Sequence, residues 1–324
     1  MTTPPCRYRF RDETTCAESA VEGSGFCFWH DPNSDKSGKD IKGRLEEKHN
    51  KGERLEGFQL KAADLDDIYL IRSDLLNVNL TRANLHRAHL FNSNLNKACL
   101  FKANLDKANL KKCSLKDAEL LGAHFGGAEL DNIDLGEGFR LKNEQEGDAF
   151  ARQGDKAKAH EKYFEAEEIY RDIKTNFKNR GLSFEGGRYF YREMVMKRKQ
   201  LPIFSIERFW SRIMDLATGY GEKPYKIIGF SISFMTVWAF IFSLLGIVHT
   251  SGYHARLSGN HTFYQNCVVF YDAFYYSVVT FTTLGYGDFT PLGIGKLLAI
   301  MESFSGAFLI ALFVITMYKR YMER

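Results

Sequence analysis

Thr283-Leu284-Gly285-Tyr286-Gly287-Asp288 sits between two long apolar runs near the C-terminus of a 324-residue chain. A cation that leaves water keeps an oxygen shell only if a short loop presents consecutive backbone carbonyls to it, all facing one way. Gly285 and Gly287 can take the left-handed conformations that a Cβ resists. Alternated with Thr283, Leu284 and Tyr286, they can turn successive carbonyls toward one axis, and the Thr283 hydroxyl adds an oxygen at the inner end. A second Gly-Tyr-Gly, in Gly219-Tyr220-Gly221-Glu222, has no apolar run ahead of it and reads as a turn.

Working outward, residues 271–282 (YDAFYYSVVTFT) are aromatic and apolar with one charge near their start. They suffice for a half-membrane helix of roughly 18 Å, whose C-terminal dipole favours a cation beneath the loop. Residues 227–248 run 22 positions without a charge, and residues 297–318 are interrupted only by Glu302. Each can cross a bilayer as a helix of roughly 33 Å. Lys197, Arg198 and Lys199 precede the first span and Lys319, Arg320 and Arg324 follow the second, while little basic charge beyond Arg256 and Lys296 lies between them. That bias predicts a multi-pass protein of the cell (inner) membrane, in contact with lipid, with both termini cytoplasmic. No charged-then-apolar leader opens the chain.

Residues 274–291 resemble the pore loop of the two-transmembrane potassium channels of prokaryotes. The resemblance implies a potassium-selective channel with Thr283, Leu284, Gly285, Tyr286 and Gly287 as the filter that coordinates K+, supported by Tyr275, Tyr276 and Asp288. It also implies a homotetramer, because one chain offers one loop and a closed carbonyl cage needs several. Gly306 resembles the hinge glycine of the inner helix. Val314 and Tyr318, four apart below it, are candidates for a hydrophobic constriction. Glu302 is a carboxylate at membrane depth, costly unless paired or neutral. One turn before Gly306, it is expected to hydrogen-bond the pore helix and steady the filter, where position 279 is Val. Leu284 stands where Val is commoner in such channels, which keeps a weakly selective cation channel as an alternative. A membrane-anchored scaffold that binds a protein partner is another.

Upstream, a slot recurs every five positions through residues 60–135: Leu from Leu60 to Leu120, then Phe125, Leu130 and Leu135. Period five suits neither a helix nor a flat strand. Two positions before most of these sits a small or β-branched residue, such as Ala83, Ala88, Ser93, Ala98, Ala103 or Ala108, and Asn or Asp often precedes the Leu. The stretch is similar throughout to the pentapeptide-repeat family. That implies a right-handed quadrilateral β-helix of four pentapeptides per coil, with Leu/Phe and Ala/Ser slots inside and Asn and Asp suited to its tight corners. Family members that mimic DNA need a strongly acidic surface, whereas here acids and bases balance. A twenty-residue coil would stack Ile71 under Phe91 and Phe101 under Leu121 on the outside, a docking surface for another domain, a subunit, or a cytoplasmic ligand or protein partner.

Cys6, Cys16, Cys27 and His30 are spaced C-x9-C-x10-C-x2-H. Three thiolates and an imidazole form a closed tetrahedral set for structural Zn2+, and ligation supplies the folding free energy that so short a piece lacks. The spacing resembles the Cys3His zinc motif of plant WRC domains. Residues 31–51 read as a polar linker. Cys99 and Cys113 lie in the repeat and Cys267 outside the membrane, so no disulfide framework is expected. Tyr163, Ala166, Tyr170, Ile173 and Phe177 mark one helical face ending at Gly181, and Tyr189, Phe190 and Met194 should face it from a second helix. This αα-hairpin resembles a single tetratricopeptide-like unit. After Pro202, Ile206, Phe209, Trp210, Ile213 and Met214 share one face of an interfacial helix.

The expected fold class is thus multidomain: a zinc-binding Cys3His segment (1–35), a pentapeptide-repeat β-helix (52–137), a helical hairpin (138–200), an interfacial helix and turn (201–225), and an α-helical two-transmembrane pore domain with a re-entrant loop (226–324). A net charge of +4 without long runs of one sign makes no case for nucleic acid. His86, His89 and His124 join no nucleophile or acid–base set, so no enzyme is expected. The sequence stops at Arg324, about one turn past the second span, so control by a cytoplasmic domain is expected to enter through the N-terminal domains.

Overall fold

The computed structural model describes residues 4–38 and 40–322, without the side chains of 319–322. The basic flank read at Lys319, Arg320 and Arg324 therefore lies outside the described side chains. Two compact units result, Met1–Leu201 and Pro202–Arg324.

In the first unit the period of five becomes a stack. Parallel bridges join residues twenty apart, from Gln59 with Asn79 to Ser114 with Asp134, and a two-residue turn follows each Leu slot. Leu60 through Leu135 are at most 5% exposed, and the small slot from Ala63 to Ile133 is buried as well. Each Leu so buried contributes about 1.5–3 kcal/mol, and the repetition of the slot is what makes the stack cooperative. Polar small slots find partners too: Ser93 Oγ donates to the Leu70 carbonyl at 2.7 Å and Cys113 Sγ to that of Leu90 at 2.8 Å inside the ladder, while Ser73 Oγ is hydrogen-bonded to His49 Nδ1 of the segment before the repeat at 3.0 Å. Burial pushes the Cys113 thiol up to about 11, so it packs as a small side chain.

The corners meet the expectation only in part. The residue two after each Leu or Phe slot from 60 to 130 has positive φ, and it is Asn or Asp at Asp67, Asn77, Asn92, Asp117 and Asn132 but a long basic side chain at Arg72, Arg82, Arg87, Lys97, Lys102, Lys107 and Lys112, with Ala62 and glycines 122 and 127 making up the rest. Asn and Asp also occupy the bridge position just before many of the leucines. There they form amide ladders between coils: Asn84 donates to Asp64 at 2.8 Å, Asn104 to Asn84 at 3.1 Å and Asn94 to Asp74 at 2.6 Å. A side-chain amide both donates and accepts, so it can continue a ladder that a corner site would leave unused.

Both ends of the stack are covered. At the first coil, Trp29 stacks on Phe58 with ring centroids 5.1 Å apart, and Gln59 N–H donates to the Trp29 carbonyl at 2.7 Å. The expected linker contains helix α1, Ile41–Asn50, whose only buried side chains are Ile41 and Leu45. Lys42 donates to the Asp66 carbonyl at 2.8 Å and Glu46 accepts from Tyr69 N–H at 2.9 Å, so polar contacts hold this helix on the coil. At the far end come three helices rather than two: α2 (Lys142–Arg152), α3 (Lys156–Asn179) and α4 (Ser183–Gln200). The face that α2 buries is Asn143, Glu144 and Gly147, which gives no apolar period to read. Glu144 is held by Arg140 and Arg192, each at 3.2 Å, and by the Tyr170 hydroxyl at 2.8 Å. Phe177 stacks on Tyr189 as expected, while Phe190 and Met194 are half-buried and Val195 and Met196 take the core positions. Asn176 donates to the Phe125 carbonyl, and Arg180 pairs with Asp131 at 3.1 Å, which seats α3 on the last coils.

The second unit opens with α5, Ile206–Thr218, stopped by Gly219 in the left-handed region; Gly219 to Glu222 is a turn, as read. Among the described residues, helices α6 (Pro224–Leu245) and α8 (Gly295–Met322) are the two long and apolar enough to cross a membrane. The first span ends three residues earlier than expected, because Gly246 has φ of 94° and Ile247–His249 turn into strand β1. Strand β1 pairs antiparallel with β2 (His254–Ala255) on one side and β3 (Phe289–Pro291) on the other. Helix α7, Phe263–Phe281, starts well before residue 271 because Thr262 and Gln265 form a reciprocal capping box. Phe242, Ile247, Ala255, Val269, Ala273 and Tyr276 make the core that joins these elements.

Candidate functional site

The loop after α7 has positive φ at Thr283 (59°), Gly285 (59°) and Gly287 (76°), with Leu284 and Tyr286 between them in ordinary φ. Alternating handedness is the backbone pattern from which a row of carbonyls facing one side can be built. The sequence placed glycine at two of the three left-handed positions; the third, Thr283, adopts that region despite its branched Cβ, a strained conformation for such a residue. Leu284 N–H donates to the Val279 carbonyl at 3.0 Å and Thr283 N–H to that of Thr280 at 3.1 Å, which ties the start of the loop to the end of α7. Its far end is tied to the small sheet, since the Asp288 carbonyl accepts from Thr250 N–H at 2.9 Å.

The two tyrosines expected to brace the loop part company. Tyr275 approaches Phe289, the residue after Asp288, with ring centroids 6.1 Å apart, whereas Tyr276 turns into the core, its ring edge-on to Phe242 at 5.0 Å. Consecutive helical residues point about 100° apart, so they could not share a partner. Leu284 and Tyr286 are 60% and 68% exposed in the single chain. Val314 and Tyr318 on α8 are exposed as well.

Glu302 is fully buried, and the hydroxyl of Ser277 on α7 is hydrogen-bonded to its Oε1. One turn further along both helices, α8 runs unbroken through Gly306, and a Cβ there would fall on the Phe281 carbonyl. Glycine at 306 is thus demanded by close approach to the last residue of the pore helix, a reason that sequence pattern alone does not distinguish from a hinge. Gly306→Ala should force the two helices apart and lower the thermal midpoint of the solubilised protein by the equivalent of about 1–3 kcal/mol. Gly229→Ala, where a Cβ meets nothing within 4 Å, is the control and should leave the midpoint in place.

In the first unit, the Sγ atoms of Cys6, Cys16 and Cys27 and a ring nitrogen of His30 lie within 4.8 Å of one another, all buried. Cys16 and Cys27 are 3.9 Å apart, and His30 Nδ1 is 3.2 Å from Cys27 and 3.7 Å from Cys6. A tetrahedron with metal–sulfur bonds of about 2.3 Å has edges of roughly 3.8 Å, so the spacing fits one ion at the centre. His30 Nε2 lies 3.0 Å from the Glu56 carbonyl, which fixes the tautomer and leaves Nδ1 as the ligand atom. Burial keeps the imidazole neutral by lowering its pKa, and pushes the Cys16 and Cys27 thiols up, a penalty on thiolates that a cation removes. The group can therefore hold a metal ion.

Residues 230–323 match the family model of ion channels, and residues 59–96 and 98–136 match that of pentapeptide repeats, in eight copies. The chain thus carries a two-span ion-channel domain together with a pentapeptide-repeat domain. Solved structures similar to the repeat include a pentapeptide repeat protein from the Arabidopsis thaliana thylakoid lumen, at 26% identity over 24% of this chain and 53% of that one, with a TM-score of 0.23. Another is HetL, a pentapeptide repeat protein involved in heterocyst differentiation regulation in the cyanobacterium Nostoc, at 34% identity over 26% of this chain and 35% of that one, TM-score 0.15. A third is Rfr23 from the cyanobacterium Cyanothece, at 29% identity over 26% of this chain and 61% of that one, TM-score 0.14. The chain therefore spans between about a third and three fifths of these proteins' lengths. No curated protein matches it.

Proposed function

We propose that the protein is a potassium-selective channel, a homotetramer in the cell (inner) membrane with both termini cytoplasmic. In this reading Thr283, Leu284, Gly285, Tyr286 and Gly287 line the filter, Tyr275 and Asp288 brace it, and Val314 and Tyr318 form the inner constriction. The alternating handedness of residues 283–287 carries the reading, because it supplies a row of carbonyls from a loop at the end of a pore helix between two spans. Reversal potentials of protein in liposomes, with unequal K+ and Na+, test it. A potential that follows K+ supports the reading; equal permeability makes Leu284 the mark of a weakly selective cation channel, and absence of current leaves a repeat scaffold with a membrane anchor.

The N-terminal unit is read as the regulator: a right-handed quadrilateral β-helix, closed at one end by a structural Zn2+ held by Cys6, Cys16, Cys27 and His30, and at the other by α3. The joint at Asn176 and Arg180 offers a direct test on the full chain. Asn176→Ala combined with Arg180→Ala should loosen the last coils from α3 and shift open probability several-fold, which corresponds to a coupling of roughly 1–3 kcal/mol. Unchanged open probability would assign the repeat to assembly or localisation alone.

A further inference from the structure

We propose that Ser277 is the positioning residue through which both spans hold the pore helix, and that Glu302 serves it as a neutral carboxylic acid. The Glu302 proton goes to Ser277 Oγ, and the Ser277 proton goes to the Met235 carbonyl. The effect on the filter rests on the channel reading above; the order of the protons rests on geometry.

Ser277 Oγ lies 3.0 Å from the Met235 carbonyl oxygen of α6 and within hydrogen-bonding distance of Glu302 Oε1 on α8. A hydroxyl has one proton to donate and can accept besides. With an ionised Glu302, two acceptors compete for that proton and one of them is left facing an oxygen. With a protonated Glu302, the chain from α8 through α7 to α6 is complete. The other carboxyl oxygen, Oε2, is buried and has no partner. A bare oxygen is tolerable on a neutral acid and far more costly on a carboxylate in apolar surroundings. The titratable side chain that faces Glu302 is Tyr276 of α7, and among the described residues no cationic side chain pairs with the carboxyl.

The register strengthens the assignment. Ser277 and Phe281 are four apart on α7, and their partners Glu302 and Gly306 are four apart on α8, so two consecutive helical turns meet rung by rung. The second rung is the close approach of Gly306 to Phe281, two residues before the left-handed Thr283. Any rotation of α8 that breaks the first rung also releases the end of the pore helix. Ser277 therefore sets where the filter begins, without touching an ion.

Infrared difference spectra of the full-length protein in lipid at neutral pH test the proton order. The carbonyl stretch of a protonated carboxyl should be present in the native protein, absent in Glu302→Gln, and moved to higher frequency in Ser277→Ala, which removes its acceptor. Carboxylate bands in place of that stretch, or a stretch unmoved by Ser277→Ala, would overturn the assignment. Should Ser277→Ala not assemble, Ser277→Cys keeps the volume with a weaker partner and should shift the band less. Single-channel recording reads the positioning role: open probability should fall several-fold in Ser277→Ala and Glu302→Val, with Glu302→Gln restoring it because an amide still donates. Unchanged open probability in both defective variants would overturn that role. A native protein that conducts no K+ would refute the channel reading and leave the infrared result to decide the protons.

Discussion

Gly285→Ala should abolish the proposed potassium conduction while leaving the proposed tetramer assembled, and Gly287→Asp should do the same. A Cβ at either position meets nothing within 4 Å in the single chain, so the effect does not come from a clash there. It comes from φ of 59° and 76°, where an L-residue costs about 1–2 kcal/mol more than glycine. In the proposed tetramer, four copies around one axis would multiply that to roughly 4–8 kcal/mol, on a loop that already holds Thr283 in the left-handed region. The loop escapes by rotating the peptide plane, and the carbonyl leaves the row. The spans and their contacts with α7 are untouched, so assembly persists. Bilayer recordings should show no K+ current above background, with a native elution volume on size exclusion. Normal currents from either variant would remove this loop as the filter.

Protein purified without chelator should hold one zinc per chain, and Cys27→Ser or His30→Ala should lose it together with the structure of the N-terminal segment. Structural zinc sites of this kind contribute roughly 10–16 kcal/mol at neutral pH, more than any other single feature of so small a piece. The consequence reaches further than the segment. Trp29 stacks on Phe58 and accepts from Gln59 N–H, Tyr8 lies against Gly57 and stacks on the His30 ring at 3.9 Å, and Glu56 accepts from that ring. Losing the metal therefore uncovers the edge of the first coil, and hydrogen exchange should accelerate through residues 4–60, while the Leu-lined coils from residue 80 onward keep their protection. Elemental analysis that finds no zinc in protein with normal N-terminal protection would refute this.

What the sequence determined by itself was whatever depends on spacing or on length. Leu every five residues can only line an interior, whatever lies outside, and those leucines are buried from 60 to 135. Apolar runs long enough for a bilayer became α6 and α8, and glycines at 285 and 287 sit where φ is positive. Three cysteines and a histidine at ligand spacing meet within 4.8 Å. The tertiary structure decided whatever depends on which polar group meets which partner far along the chain. Asn and Asp before many of the leucines became ladders between coils, besides those that turn corners, because an amide twenty residues away completes the pair. Helices α1 and α2 were invisible as apolar faces, since one rests on two buried side chains and the other buries Asn143 and Glu144. Tyr275 and Tyr276 were separated by helical rotation, and Gly306 acquired its reason from the Phe281 carbonyl. The partner of Glu302 was settled the same way: a lone carboxylate in an apolar run signals only that something must satisfy it, and the packing of three helices put Ser277 there.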